Sequence, residues 1–485
     1  MNKTNKKGKL SQFSKFANSL LPHEVQHLLM VNRLSDPEKV SILHRIAANS
    51  AQLQQQMRFD ETIDKRKYSY LKNWSTNRLK SLDADYFYEW MINLDRSIMT
   101  DSITSKEELD IISAIRKYKY PGYYFIRFYE LVQNYRYYLL IRMRYHYSEI
   151  TRQFLDRYRN QYLHAKSVNL QLHEATIDIV SQYSLTTIES KHWEEWLISV
   201  FTDKTLDGLN RYFAIVRLTF LYYNYKKYSK LIELYDVLDH AIVNGEIYSR
   251  RILVNYYANR VLLHTRYNEP AEAERYGWLS IRHKGSDYLH YVNNLCAVLL
   301  RNGKPVEALK LMQNSFPELG KTLNAHTRIG FVSYYMQCLN RNGKAKEALN
   351  YAKSFLAANR QDILMHRWHV FFTTMIRSML LMEQYREVLT LVRRNRLESL
   401  EKEYKHRVGY IPAFVWYYLL ACYKECEITE KKFREALYDS TSTCLHDDHS
   451  YRLLMDLCAE LQQHAPNIFN EIRKECEAKR QNVFP

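Results

Sequence analysis

The sequence predicts an all-α protein in which helical pairs stack as a solenoid behind an N-terminal helical domain. Three observations point there. Turn-forming residues are scarce, apolar residues recur at helical spacing from Pro22 onward, and one short motif returns at intervals of 35 to 40 residues. The 485 residues include only 11 Gly and 9 Pro, against 41 Tyr, 19 Phe and 7 Trp. A sandwich, barrel or propeller needs many tight turns and is disfavoured by that balance.

The elements follow in order. Residues 1–20 are polar and basic, with Lys3, Lys6, Lys7, Lys9 and Lys15 and no acid, and read as a mobile arm. Residues 21–204 form a Tyr-rich, basic helical domain that opens with Pro22 as a first helical residue. Residues 205–400 carry the repeats, and 401–485 a C-terminal helical repeat or cap. Breaks are expected near Ser35-Asp36-Pro37, Pro121-Gly122, Thr202-Asp203-Lys204, Asn244-Gly245, Glu269-Pro270, Asn302-Gly303, Asn342-Gly343 and Glu427 to Glu430.

The repeat emerges when the chain is aligned on itself. Arg301-Asn302-Gly303-Lys304 with Glu307-Ala308-Leu309 returns 40 residues later as Arg341-Asn342-Gly343-Lys344 with Glu347-Ala348-Leu349. Glu387-Val388-Leu389 stands a further 40 residues on, and Arg266, Asn268, Pro270, Glu272 and Ala273 align 35 residues before. A looser copy runs from Lys226 to Ile232, and Glu435-Ala436-Leu437 follows the series. A first helix ends, glycine permits a left-handed turn, and a second helix begins within about four residues. Ala308 and Ala348 then allow two helix axes to approach closely.

On these residues the chain resembles the tetratricopeptide-repeat (TPR) family, well over about 205–400 and more weakly over 401–485. Leu295 and Tyr335 upstream of the turn stand at that family's spacing. The sequence departs from the family in its 40-residue period in place of 34, in Ser315 and Phe355 where the family places a small Ala, and in lacking the usual repeat-ending Pro. The resemblance implies a right-handed TPR-like solenoid whose first helices line a concave groove for a peptide. Carried over position by position, the groove would show Asn259, Asn293, Asn294, Ser333, Gln337 and Arg377, with Arg266, Arg301 and Arg341 at the helix ends. Such a lining suits an extended backbone or an acidic motif. The family's full Lys-Asn-Asn-Lys-Arg carboxylate clamp is not reproduced. Arginines at helix C-termini also offset unpaired carbonyls, and the two roles are compatible.

The formal charge is +17, and residues 115–166 alone supply +8 of it. Their cations are Arg116, Lys117, Lys119, Arg127, Arg136, Arg142, Arg144, Arg152, Arg157, Arg159 and Lys166, interleaved with tyrosines from Tyr118 to Tyr162. That composition could neutralise phosphates and stack on bases, which makes nucleic acid an alternative partner. The competing expectation is structural, with tyrosines filling helix seams and arginine stems lying over apolar surface.

Two further constellations carry possible chemistry. His23-Glu24-Val25-Gln26-His27 is a literal H-E-x-x-H, which on a helix would hold zinc between two imidazoles with Glu24 polarising water. A zinc hydrolase is therefore a second alternative, although the pentad sits in the first turn after Pro22 and lacks the G-x-x-H extension. Cys422, Cys426, Cys444, His446 and His449 match no standard ligand spacing, and His446-Asp447 alone is too little for a phosphohydrolase.

Phosphate-cradling glycine motifs and a G-x-S-x-G elbow are absent, so nucleotide-driven and α/β-hydrolase chemistries lose their signatures. No apolar run reaches the roughly 18 residues of a membrane span. Polar residues within the first 18 positions argue against a signal peptide, and seven cysteines confined to the last 190 residues suit reduced, buried thiols in the cytoplasm. The resulting expectation is a cytoplasmic, non-catalytic scaffold or adaptor with no cofactor, binding a protein or peptide of acidic character.

Overall fold

The structure, a computed structural model, describes residues 10–51, 56–185, 189–407 and 410–483. The described residues are helical, without a strand. Two compact units, Met1–Leu253 and Val254–Pro485, divide the chain. The first contains α1 (Ser11–Ser19), α2 (Pro22–Met30), α3 (Pro37–Ala51), α4 (Lys65–Leu82), α5 (Ala84–Met99), α6 (Ser105–Lys117), α7 (Phe125–Ile141), α8 (Tyr145–Leu185), α9 (Glu194–Thr202), α10 (Gly208–Asn224) and α11 (Tyr228–Val243). The division falls within α12 (Arg250–Arg266). The second unit continues with α13 (Pro270–Ser280), α14 (Tyr288–Arg301), α15 (Pro305–Leu319), α16 (Ala325–Arg341), α17 (Ala345–His366), α18 (Trp368–Leu381), α19 (Tyr385–Asn395), α20 (Leu397–Tyr404), α21 (Ala413–Lys424), α22 (Glu430–Asp439), α23 (Asp448–Leu461) and α24 (Pro466–Val483).

The expected N-terminal arm needs correction over its described part. Residues 11–19 form a helix whose Phe13 and Ala17 are buried, because Phe13 packs edge-on against Phe59 and Tyr68. Lys3, Lys6, Lys7 and Lys9 lie outside the described residues.

In the second unit each first helix packs against its own second helix and the next first helix: α14 on α15 and α16, then α16 on α17 and α18. Ala273, Ala308, Ala348 and Val388 occupy equivalent buried positions in the second helices. The turn between paired helices repeats in detail. Gly303 and Gly343 have φ of +69° and +72°, and open space around them leaves backbone conformation as their reason. Lys226, Asn268, Glu383 and Cys426 adopt the same left-handed geometry. After each of these six residues the next amide donates to a carbonyl five positions back, 2.9 Å away, as in Lys304 to Leu299, Gln384 to Met379 and Glu427 to Cys422. This bonding satisfies carbonyls left open at the helix end.

The asparagine of the repeated tetrapeptide joins successive pairs. Asn302 Nδ2 donates to the Pro270 carbonyl at 3.3 Å, and Asn342 Nδ2 to the Pro305 carbonyl at 3.0 Å. Each bond ties the end of a first helix to the start of the preceding second helix. Lys304 adds an ion pair to Glu274 at 2.7 Å.

Candidate functional site

The arginines at the ends of the first helices, together with Arg377 near the end of α18, form the candidate site of the second unit. Two of them are occupied by acids, one at the N-cap of α23 and one within it. Arg266 Nη2 donates to Asp447 Oδ1 at 2.7 Å, and Arg377 pairs with Glu460 Oε1 at 2.5 Å. Tyr417 also donates to Glu460 at 2.9 Å, and Arg452 donates to the Arg266 carbonyl at 3.0 Å. Residues 452, 456 and 460 recur every four positions, so Arg452, Asp456 and Glu460 share one face of α23. Its opposite face buries Leu454, Leu457 and Leu461 in the unit's core.

Arg301 and Arg341 differ from these neighbours. Both are exposed, and among the described residues neither guanidinium has an ion-pair or hydrogen-bond partner. Withdrawal from water lowers the pKa of Arg301 even though solvent reaches it; Tyr334 and Asp456 oppose that change and Arg452 reinforces it. His449 is pushed down to about 4 by burial and then by Arg266, Arg301 and Arg452, with Asp447 acting the other way. The arginine row therefore carries positive potential that nearby acids only partly offset.

The remaining groove residues divide between surface and interior. Asn259 donates to Asn255 at 3.2 Å and Gln337 to Thr374 at 3.2 Å, both from half-buried positions. Asn294 is half-buried, with its Nδ2 lacking a partner. Ser333 is fully buried and donates to the Ile329 carbonyl one turn back on its own helix at 2.8 Å, so its hydroxyl is not at the surface. Asn293 is also interior, 2% exposed, with both amide atoms unpartnered.

The basic segment of the first unit is organised differently. Tyr118, Tyr120, Tyr129, Tyr135, Tyr158 and Tyr162 belong to or pack on the core of α5–α8, with Tyr129 stacked on Tyr162 at 4.1 Å. Burial pushes Tyr120 up to about 12. Arg127 pairs with Glu130 at 3.1 Å, Arg142 with Asp101 at 2.7 Å, Arg144 with Glu108, and Arg152 with Glu149 and Asp156 at 2.6 and 2.9 Å. Arg136 has a buried Nε without a partner, and Arg157 lies over the Tyr158 ring. Arg116, Lys117, Lys119 and Arg159 remain exposed. Most of the segment's rings are thus taken up by the core, whereas Tyr137 and Tyr145 are exposed.

The H-E-x-x-H expectation is corrected by its surroundings. Glu24 is 1% exposed and receives hydrogen bonds from Leu21 N, Tyr248 Oη and the Arg250 guanidinium at 2.8 to 2.9 Å. A carboxylate held this way is a helix cap and buried ion-pair member, unavailable to polarise water. His23 bonds Asp239 at 2.6 Å and His27 the Val243 carbonyl at 2.7 Å. Among the described residues no group of three or more His, Cys, Asp or Glu could hold a metal ion. All seven cysteines are free, and Cys426 alone is exposed.

A smaller cluster, which the sequence did not suggest, joins α18 and α20. Glu401 is buried and His369 half-buried, their Oε2 and Nε2 stand 3.6 Å apart, and Tyr410 donates to the other Glu401 oxygen. Burial pushes Glu401 up to about 7 and His369 down to about 4, so both favour their neutral forms. Acids on one face of a C-terminal helix were the readable signal for α23; Arg367, His290 and His326, beside the arginine row, carry no repeating signal.

The chain matches no family model, and no curated protein is similar to it. Among the described residues no helix is long and apolar enough to cross a membrane.

Proposed function

We propose that the chain is a cytoplasmic, non-catalytic scaffold or adaptor, whose repeats form a right-handed TPR-like solenoid and hold a protein segment of acidic character. One observation carries this reading: of three arginines at equivalent helix ends, Arg266 pairs with Asp447 while Arg301 and Arg341 stand exposed and unpaired, and Arg377, one turn before the end of α18, pairs with Glu460. Two intrachain carboxylates already pair with arginines of this surface, and two further guanidiniums of the same kind support the reading. The recurring left-handed turn and its 2.9 Å bond support the repeat reading.

The test is capture from nuclease-treated native lysate by wild-type protein and by a variant carrying Arg301→Glu and Arg341→Glu. A specific protein retained by the wild type and lost by the variant is the expected result. Equal retention removes the row from the binding surface.

Nucleic-acid binding through 115–166 keeps one supporting observation, the exposure of Arg116, Lys117, Lys119, Arg157 and Arg159. Such binding would rest on phosphate contacts and fall steeply with salt.

A further inference from the structure

We propose that a cleft between α20, α21 and the end of α22 binds a small organic cation, a protonated amine carried on an apolar body, with Glu401 as its counter-ion. The site uses no residue of the arginine row and goes beyond the scaffold reading.

The cleft has a volume of about 690 Å³, within the range of small-molecule sites. Glu401 and Tyr410 line it together with Phe414, Val415, Tyr418 and Leu419. Phe414 and Tyr418, one turn apart on α21, hold their rings nearly parallel with centroids 6.4 Å apart. The exposed charges around the cleft balance: Glu398 and Asp439 stand against Lys402 and Lys405, with His406 beside them. The charge left over is that of Glu401.

Glu401 is the exception among the buried glutamates. Glu24 holds Arg250, Glu108 holds Arg144, Glu194 holds Lys227 and Lys230, and Glu274 holds Lys304. Among the described residues Glu401 pairs with no lysine or arginine, and its Oε2 accepts no hydrogen bond. Tyr410 donates to the other oxygen. His369 Nε2 lies 3.6 Å from Oε2, beyond hydrogen-bond range, and its ring is stacked on Tyr404 at 4.1 Å. A carboxyl withdrawn from water must take either a proton or a cation. Burial favours the proton and pushes Glu401 up to about 7, against the Tyr410 hydrogen bond. Burial and then the charge of Arg407 push His369 down to about 4, so its imidazole does not serve as the cation near neutral pH.

The walls select the class of cation. A metal ion needs several oxygen or nitrogen ligands in place of its water, and among the described residues no group of three or more His, Cys, Asp or Glu provides them. Val415 and Leu419 gain by covering an apolar body, and the rings of Tyr410, Phe414 and Tyr418 attract an ammonium group. An anion would meet the Glu401 carboxylate, and a neutral ligand would leave it unmatched.

The experiment titrates the full chain with phenethylamine, and separately with 3-phenylpropionate, by calorimetry. Expected is saturable phenethylamine binding that is about tenfold weaker at pH 6 than at pH 8, because the ammonium must displace the Glu401 proton. At pH 7 each ligand should release about half a proton, read from the dependence of the heat on the buffer's ionisation enthalpy. Glu401→Gln should bind at least about tenfold more weakly and release no proton. Ala436→Trp, which fills the cleft from α22, should abolish binding and keeps the test valid if Glu401→Gln alters packing. 3-Phenylpropionate, similar in shape and opposite in charge, should not saturate. Absence of phenethylamine saturation, binding without proton release, unchanged affinity in either variant, or 3-phenylpropionate bound as tightly overturns the proposal.

Discussion

Residues 115–166 and the arginine row of the second unit are both rich in positive charge, but they resolve it in opposite ways. In the first, Arg127, Arg142, Arg144 and Arg152 find nearby acids, and most of the interleaved tyrosines form or pack on core, with Tyr137 and Tyr145 exposed. In the second, the equivalent helix ends separate into paired Arg266 and unpaired Arg301 and Arg341, with Arg377 of α18 paired to Glu460. A site is located by where compensation is missing, not by where cations are numerous.

The largest expected effect tests whether unit one's motif residues are structural. Glu24→Gln leaves Arg250 beside an amide and removes the charge from a buried pair, which should cost about 3 to 5 kcal/mol in urea unfolding. Added zinc should leave the melting temperature of the wild type unchanged. Zinc-dependent stabilisation, lost in the variant, would break the comparison by restoring function to the H-E-x-x-H.

Second in size is a pH effect seated in unit two. Glu401 is raised from 4.5 to about 7 in the folded chain, so the native state binds the extra proton between those values. Its contribution is fully present below about pH 4.5 and is lost as pH rises through 7, a change of about 3 kcal/mol. His369 is lowered from 6.5 to about 4, so stability falls as pH drops from 6.5 toward 4. Between pH 4.5 and 6.5 the two dependences oppose each other and largely cancel, leaving a nearly flat profile. Glu401→Gln should uncover the His369 dependence, a rise in stability from about pH 4 to 6.5 with no fall toward 7, as measured by unfolding at several pH values. Asp207, raised by burial to about 6 in unit one, gives a similar loss over a window that closes about one pH unit earlier. Asp207→Asn tells the two apart.

Third, Arg301→Glu with Arg341→Glu should weaken partner capture at least about tenfold while unfolding free energy stays within about 0.5 kcal/mol of wild type. Arg157→Gln with Arg159→Gln should change neither. Lost capture in the second pair would transfer the site to the first unit and reverse the comparison.

What was legible in the sequence follows from what recurs. The tetrapeptide at 301–304 and 341–344 disclosed the turn because glycine marks it, and the arginine row because it travels with the glycine. The equivalent residues Glu383 and Cys426 use the same left-handed backbone without glycine, so sequence pattern leaves them unmarked. Ser333 stands at a groove position of the repeat pattern, yet its side chain is fully buried and bonded to its own helix, which the pattern does not disclose. Arg367 was illegible because it occurs once and its course depends on Gly330 of a different helix. The acids of α23 were visible as residues, yet their pairing with arginines about 80 and 180 positions away is set by the stacking of whole helices.

The smallest effect asks whether the turn is one device in both units. Lys226 in the first and Glu383 in the second have φ of +55° and +56°, and each is followed by the same 2.9 Å bond. A non-glycine residue in this region costs about 1 to 2 kcal/mol, whereas glycine loses about 0.5 to 1 kcal/mol more in conformational freedom on folding. Lys226→Gly and Glu383→Gly should therefore each stabilise by roughly 0.5 to 1 kcal/mol. Asn268→Gly should gain less, because asparagine tolerates the left-handed region better than lysine or glutamate. Gly303→Ala and Gly343→Ala have open space for the added methyl and should still lose stability, since the backbone and not a neighbour sets the penalty. Equal gains at 226 and 383 in chemical unfolding would mean one turn physics on both sides of the division at residue 253. A gain at 383 with a loss at 226 would mean that the Lys226 side chain contributes something its turn geometry does not account for, and that the first unit's last helical pair is built on different terms.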